Sequence, residues 1–205
     1  MIRHLSRALT GLAVLAASGL SACALLSSPD PVQLYRFGAT VDAPVDEPSS
    51  AAVPVVLRRI ELPEAVRDDR ILGVTGAEAA YIKGARWVSD ATALYTDSVE
   101  ATFAAQARRA RLIGPREFTR GAQTLDLDVR TFEARYAAPA AAPDVRIVVR
   151  ARMLNRETRD IVTERTFSVI QPASENRVSA IVAAFDTATR DVNTQLVAWV
   201  DANAG

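Results

Sequence analysis

Leu125-Asp126-Leu127-Asp128-Val129-Arg130-Thr131 alternates apolar and polar residues without a break. A period of two sets Leu125, Leu127, Val129 and Thr131 on one face of a strand and Asp126, Asp128 and Arg130 on the other. A strand buried on one face only belongs to an antiparallel sheet with one solvated side. The run extends to Tyr136, and after an Ala-Pro loop at 137–143 the pattern returns from Val145 to Leu154. There Val145, Ile147, Val149, Ala151 and Met153 oppose Arg146, Arg150 and Arg152. A turn at Asn155 to Arg159 leads into a third strand, Ile161 to Ile170, with Ile161, Thr163, Arg165, Phe167 and Val169 on one face. Three consecutive strands joined by short turns read as a meander.

Upstream, Val32 to Phe37 reads as a first strand, and residues 38–52 as a loop rich in Ala, Pro, Ser and Asp. Val53 to Leu62 is a second strand that Pro63 ends. Apolar residues on both of its faces, Val55 and Leu57 against Val56 and Ile60, suggest a central place in the sheet. Residues 64–70 form a turn or a short helix. Arg70 to Thr75 and Glu78 to Lys83 make a hairpin around Gly76, and Gly84-Ala85-Arg86 turns the chain into Trp87.

Two segments carry helical periodicity instead. After Ser89 and Asp90, either of which suits an N-cap, come Ala91, Leu94, Tyr95, Ser98, Val99, Thr102, Phe103 and Ala107, a stripe at i, i+3, i+4, i+7. Arg108, Arg109 and Arg111 close it, favourably placed beside a helix C-terminus. From Ser174, another possible cap, Val178, Ile181, Val182, Phe185, Val192, Leu196 and Trp199 give a second stripe. Together these predict an α+β fold: a twisted antiparallel sheet with two long helices packed on one face.

The N-terminus has the layout of an export signal. Arg3 and Arg7 precede the apolar run Thr10 to Ala17, and Leu20-Ser21-Ala22-Cys23 closes it with the only cysteine of the 205 residues. The apolar run falls short of the ~20 residues that span a bilayer. A Leu-small-small-Cys ending resembles the bacterial lipobox. That resemblance implies cleavage before Cys23, acylation of its thiol and new amine, and, because Ala24 rather than Asp follows, delivery to the outer membrane. A buried thiol at Cys23 and an uncleaved membrane helix are the alternatives. The expected organisation is a signal peptide over residues 1–22, a lipidated Cys23 with a short tether over 23–31, and one domain over 32–205. The eight tether residues 24–31 reach at most ~28 Å at ~3.5 Å each.

Composition narrows the chemistry. His4 is the only histidine and lies in the signal, so the mature chain has neither histidine nor, once Cys23 is acylated, a free thiol. Ser-His-Asp and Cys-His catalysis, and zinc sites built from Cys or His, are thereby excluded. The chain has no Gly-x-Ser-x-Gly, Walker or Gly-x-Gly-x-x-Gly motif. Its acidic residues are scattered, and the expectation is no enzyme, no metal and no cofactor. Loss of Arg3 and Arg7 leaves 22 basic against the 24 acidic residues, without the basic excess that nucleic acid needs. Lys83 is the only lysine.

The order of elements resembles the ABC-type transport auxiliary lipoproteins. The likeness rests on Leu34-Tyr35-Arg36-Phe37 soon after the lipobox, on Val56 to Pro63, on Tyr81-Ile82-Lys83-Gly84-Ala85-Arg86-Trp87 before the first long helix, and on Leu125 to Glu133. The long Pro-rich loop at 38–52 and the aromatic-poor meander depart from it. The resemblance implies an accessory lipoprotein, anchored by its lipid in the outer membrane, of a system that moves phospholipid or other hydrophobic molecules between membranes. Its partners would be a periplasmic MCE-domain protein and that protein's ABC permease and ATPase. The exposed strand edges that such a sheet leaves need cover, which makes a homo-oligomer a further expectation.

Strand edges and the Trp87 corner are the candidate contact points, with Tyr81 and Tyr95 beside them. For Trp87 the competing reading is a core plug where strand meets helix, and for the tyrosines core or rim. A lipid carrier remains an alternative if small residues such as Ala101, Ala104, Ala105, Ala183 and Ala184 leave a cavity under the helices. A structural envelope lipoprotein is a third reading.

Overall fold

The computed structural model describes residues 31–38, 52–114, 117 and 121–205. The proposed signal, Cys23, nearly all of the tether and most of the 38–52 loop lie outside them. Gln33 to Gly205 form one compact unit. Its strands are β1 (Gln33–Tyr35), β2 (Val53–Glu61), β3 (Arg70–Thr75), β4 (Glu78–Trp87), β5 (Ala110–Ile113), β6 (Gln123–Tyr136), β7 (Asp144–Asn155) and β8 (Ile161–Pro172). Its helices are α1 (Glu64–Arg67), α2 (Ala91–Gln106) and α3 (Val178–Asn203).

The class is α+β, on an open, twisted sheet. The β6–β7–β8 meander and the β3–β4 hairpin pair antiparallel, as their alternation and turns suggest. The sheet as a whole is mixed, however, because β1–β4, β2–β5, β2–β6 and β3–β6 pair in parallel. Alternation reports which side of a strand is buried and is blind to the direction of its neighbour, so this corrects the expected all-antiparallel sheet. β6 is the hub. One edge is bonded to β7 along its length, while the other carries β2 over Gln123 to Asp128 and β3 over Ala134 to Tyr136. The sheet therefore forks at β6.

Two bulges re-aim side chains. In β6 the register slips between Val129 and Thr131, so Val129 and Phe132 both reach the core, 1% and 3% exposed. Thr131, assigned to the core face by strict alternation, yields its place to Phe132. In β2 a slip between Leu57 and Arg59 swings Arg58 onto Asp126. Its Nε donates to Asp126 Oδ1 at 2.7 Å and its Nη2 to Oδ2. Asp126 is only 2% exposed, and Arg152 stands 3.8 Å away. The hydrogen bonds that Arg58 donates to Asp126 hold its guanidinium above its ordinary value, against the opposing cost of burial.

β4 likewise continues through Gly84 to Trp87 instead of turning at Gly84-Ala85-Arg86. Gly84 takes φ +71, a left-handed conformation natural to glycine, which kinks the strand without ending it.

Both long helices pack on one face. α2 buries Leu94, Tyr95, Ser98, Val99, Thr102 and Phe103, the residues of its stripe. α3 buries Ile181, Val182, Phe185, Val192, Leu196 and Trp199. Both reach Phe132 of β6, from Tyr95 at 6.2 Å and Phe185 at 4.9 Å between ring centroids. Asn193 Nδ2 donates to Ser98 Oγ at 2.9 Å across the buried seam between the helices.

The helix ends differ from the sequence reading. Neither Asp90 nor the residue before Val178, Arg177, makes a side-chain cap, and Ser174 lies short of the helix. α2 stops at Gln106, and Arg111 belongs to β5. The N–H groups of Arg108, Arg109 and Ala110 donate to the Asp201 carboxylate at 2.7, 3.1 and 2.8 Å. What holds this segment is thus a carboxylate at the end of α3, where the sequence suggested the dipole of α2.

Candidate interaction surfaces

Trp87 ends β4 with its neighbour Val88 bonded by its N–H to Tyr35 O at 2.7 Å. That pairing turns the indole inward. It meets Phe37 edge-on at 4.8 Å and Phe185 at 5.4 Å, and Phe37 meets Phe132 at 5.1 Å. Trp87 is 2% exposed and Tyr95 0%. Both are core residues, and neither ring is presented to a partner, which corrects their candidacy as contacts. The Tyr95 hydroxyl finds no hydrogen-bond partner, and burial pushes its phenol well above the ordinary value. Tyr81 is the exception. It lies exposed on β4 with the Arg70 guanidinium 3.9 Å above its ring, a cation–π arrangement.

The open edge of β8 is the longest unpaired surface among the described strands. β8 bonds to β7 from Asp144–Pro172 to Leu154–Ile161 and to no other described strand. Phe167 and Val169 point into the core, where Phe167 meets Trp199 at 5.9 Å. Ile161, Val162 and Ile170 are more than half exposed. Proteins usually blunt such an edge with charge, proline or brevity. Here Glu164 is engaged by Arg150, Arg165 leans over Phe167, and Pro172 stands only at the end. Free main-chain groups flanked by apolar side chains suit an added strand.

A cleft of about 510 Å³ opens at the fork, where β2 leaves β6 before β3 joins it. Ile60, Leu62, Pro63 and Val129 form its apolar wall, with Glu61, Arg67, Thr92, Asp128 and Arg130 around them. Arg130 pairs with Asp128 at 3.3 Å, and Arg67 with Glu64 and Asp68 at 3.7 and 3.6 Å. These charges balance locally and select no particular ion. Among the described residues no group of three or more His, Cys, Asp or Glu side chains is placed to hold a metal. Of the alanines considered for a lipid cavity, Ala104 and Ala183 are exposed, Ala101 and Ala105 intermediate, and Ala184 belongs to the core.

The family model described as "ABC-type transport auxiliary lipoprotein component" matches residues 35–197. A solved DUF330-family protein from Xanthomonas campestris is 28% identical, covering 84% of this chain and 96% of its own, with a TM-score of 0.71. A second crystal structure, 12% identical, covers 83% of this chain and 99% of its own at a TM-score of 0.64, a likeness of fold alone. No curated protein matches.

Proposed function

The chain belongs to the ABC-type transport auxiliary lipoprotein family, and from that premise we propose that it is the outer-membrane-anchored, periplasmic accessory lipoprotein of an MCE-type transport system. That family is not an enzyme class. The system would move phospholipid or another hydrophobic cargo between membranes, its periplasmic MCE-domain protein being served by an ABC permease and ATPase. In this reading residues 1–22 are removed, Cys23 carries the acyl chains, and residues 32–205 form the working domain. Two or more acyl chains make a stable anchor, since each buried CH₂ contributes about 0.8 kcal/mol. Among the described residues no helix is long and apolar enough to cross a membrane.

The observation that carries the reading is the family match across almost the whole described domain. The surface that suits the role is the β8 edge. A docking protein that supplies one extended segment would complete the sheet there and cover Ile161, Val162 and Ile170. A second copy of the chain is the competing occupant of the same edge.

The test is an affinity pull-down of the full-length lipoprotein from detergent-solubilised envelope, read by mass spectrometry. The expected result is an MCE-domain protein with its permease and ATPase, lost on substitution of Val162→Lys with Ile170→Lys. Recovery of none of these by a cleanly acylated protein overturns the reading. Elution of the free protein as a monomer at high concentration counts against the second copy.

A further inference from the structure

Leu34, Arg86 and Arg70 form one row across three strands, since β1 pairs Leu34 with Arg86 and β3 pairs Arg70 with Arg86. Directly opposed residues share a face of the sheet, and this face is turned away from Trp87 and the core. Arg36 and Val88 follow directly on these two strands, where the Val88 N–H donates to Tyr35 O, and both are exposed. Arg70 in turn covers Tyr81. The result is a continuous outer surface on which Leu34 is 53%, Val88 51% and Tyr81 38% exposed, set among three arginines. Asp69, bound to Arg86 Nη1 at 2.8 and 3.0 Å, and the exposed Asp90 are the acids beside it.

We infer that this β1–β4 surface lies against the phospholipid surface of the membrane that holds the protein, with Leu34 and Val88 entering the headgroup layer. The inference rests on the proposed lipidation of Cys23. Leu34 is the second residue of the first strand, and eleven residues of chain from Cys23 reach at most ~38 Å even when fully extended. The tether thus ends on the patch itself. Its chemistry fits that position. Aliphatic side chains suit the acyl boundary, and an aromatic ring suits the headgroup level. Arginines meet anionic lipid phosphates with their forked donors.

The full-length lipoprotein, reconstituted in vesicles of phosphatidylethanolamine with a minority of phosphatidylglycerol, tests this. An environment-sensitive fluorophore is attached to Leu34→Cys, Val88→Cys or, as reference on the β8 edge, Ile170→Cys. Acylated Cys23 leaves the introduced thiol as the sole reactive one, and the intact mass of each preparation reports acylation. Blue-shifted emission at 34 and 88 is expected, with quenching by nitroxide-labelled lipid about threefold that at 170, as for groups ~5–10 Å inside the headgroup boundary. Water-like emission at 34 and 88 in an acylated protein overturns the inference and leaves the anchor intact. So does equal quenching at all three positions. A blue shift without nitroxide quenching overturns it too, because protein then covers the patch. An unacylated Cys23 overturns both the anchor and the surface placed by it.

Discussion

Trp87→Ala removes the ring that joins β4, β6 and α3. An aromatic side chain this well buried withdraws roughly 200 Å² from water, worth about 5 kcal/mol at ~25 cal/mol per Å². Alanine retains a small part of that. The edge-on contacts with Phe37 and Phe185 fall within the same total, since large-to-small changes of this kind cost about 3–5 kcal/mol. A loss near 4 kcal/mol is a large share of the ~5–15 kcal/mol that holds a domain together. It lowers the melting temperature by about 8–16 °C for a chain of this size. Circular dichroism during heating of the detergent-solubilised protein reads it directly, with Tyr81→Ala as the surface control, expected within about 1 kcal/mol of the parent. A Trp87→Ala protein that melts within a few degrees of the parent, yet no longer captures its partners, would refute the core assignment and return Trp87 to the surface.

Tyr95→Phe removes a buried hydroxyl that has no partner, so stability at neutral pH stays level or rises by about 1 kcal/mol. An unfolded chain ionises this phenol near 10.0, whereas the folded state holds it protonated to higher pH. Stability is therefore fully present below pH 10 and falls above it, by up to ~1.4 kcal/mol per pH unit. Melting curves taken through that range should show the phenylalanine variant losing less, with Tyr136, also raised, contributing equally to both proteins. Parallel pH profiles would contradict the assignment. Asp201→Ala strips three N–H groups of their acceptor and should cost about 1–3 kcal/mol. Hydrogen exchange at Ala110 to Ile113 should quicken relative to the rest of the sheet, and unchanged exchange there would show that β5 is held by β2 alone.

The meander was legible because Val145, Ile147, Val149, Ala151 and Met153 are all fully buried, in step with an unbroken period of two. The helical stripes of α2 and α3 were legible for the corresponding reason at a period near four. What escaped was set by relations between distant segments. Parallel neighbours leave the same alternation as antiparallel ones. The slips at Arg58 and Arg130 are invisible until Asp126 and Phe132 stand opposite them. β5 is a four-residue run whose start is fixed by Asp201, 91 positions away. Of the candidate contacts, Tyr81 stayed at the surface, while Trp87 and Tyr95 were drawn in by the aromatic cluster. Pattern alone ranks an aromatic residue at a strand–helix junction equally as plug or as contact. The β8 edge was foreseeable only as a general consequence of an open sheet, since nothing in Ile161 to Pro172 declares that no strand follows it.

The fork at β6 bears on how the chain is built. Translation proceeds from the N-terminus, so β2 and β3 emerge long before the strand they share: Val55 waits for Gln123 and Gly73 for Ala134. The β3–β4 hairpin is able to close at once, but the apolar faces of β2 and β3 stay uncovered through that interval. The inner face of the sheet then waits for α3, the last element to arrive. A domain rich in such long-range pairings folds slowly and exposes apolar surface while it does so. Folding here is completed only after the final helix has been made. A stop codon ahead of Val178 would leave the inner face of the sheet without the helix that covers it, and would yield a substrate for proteases in place of a shorter domain.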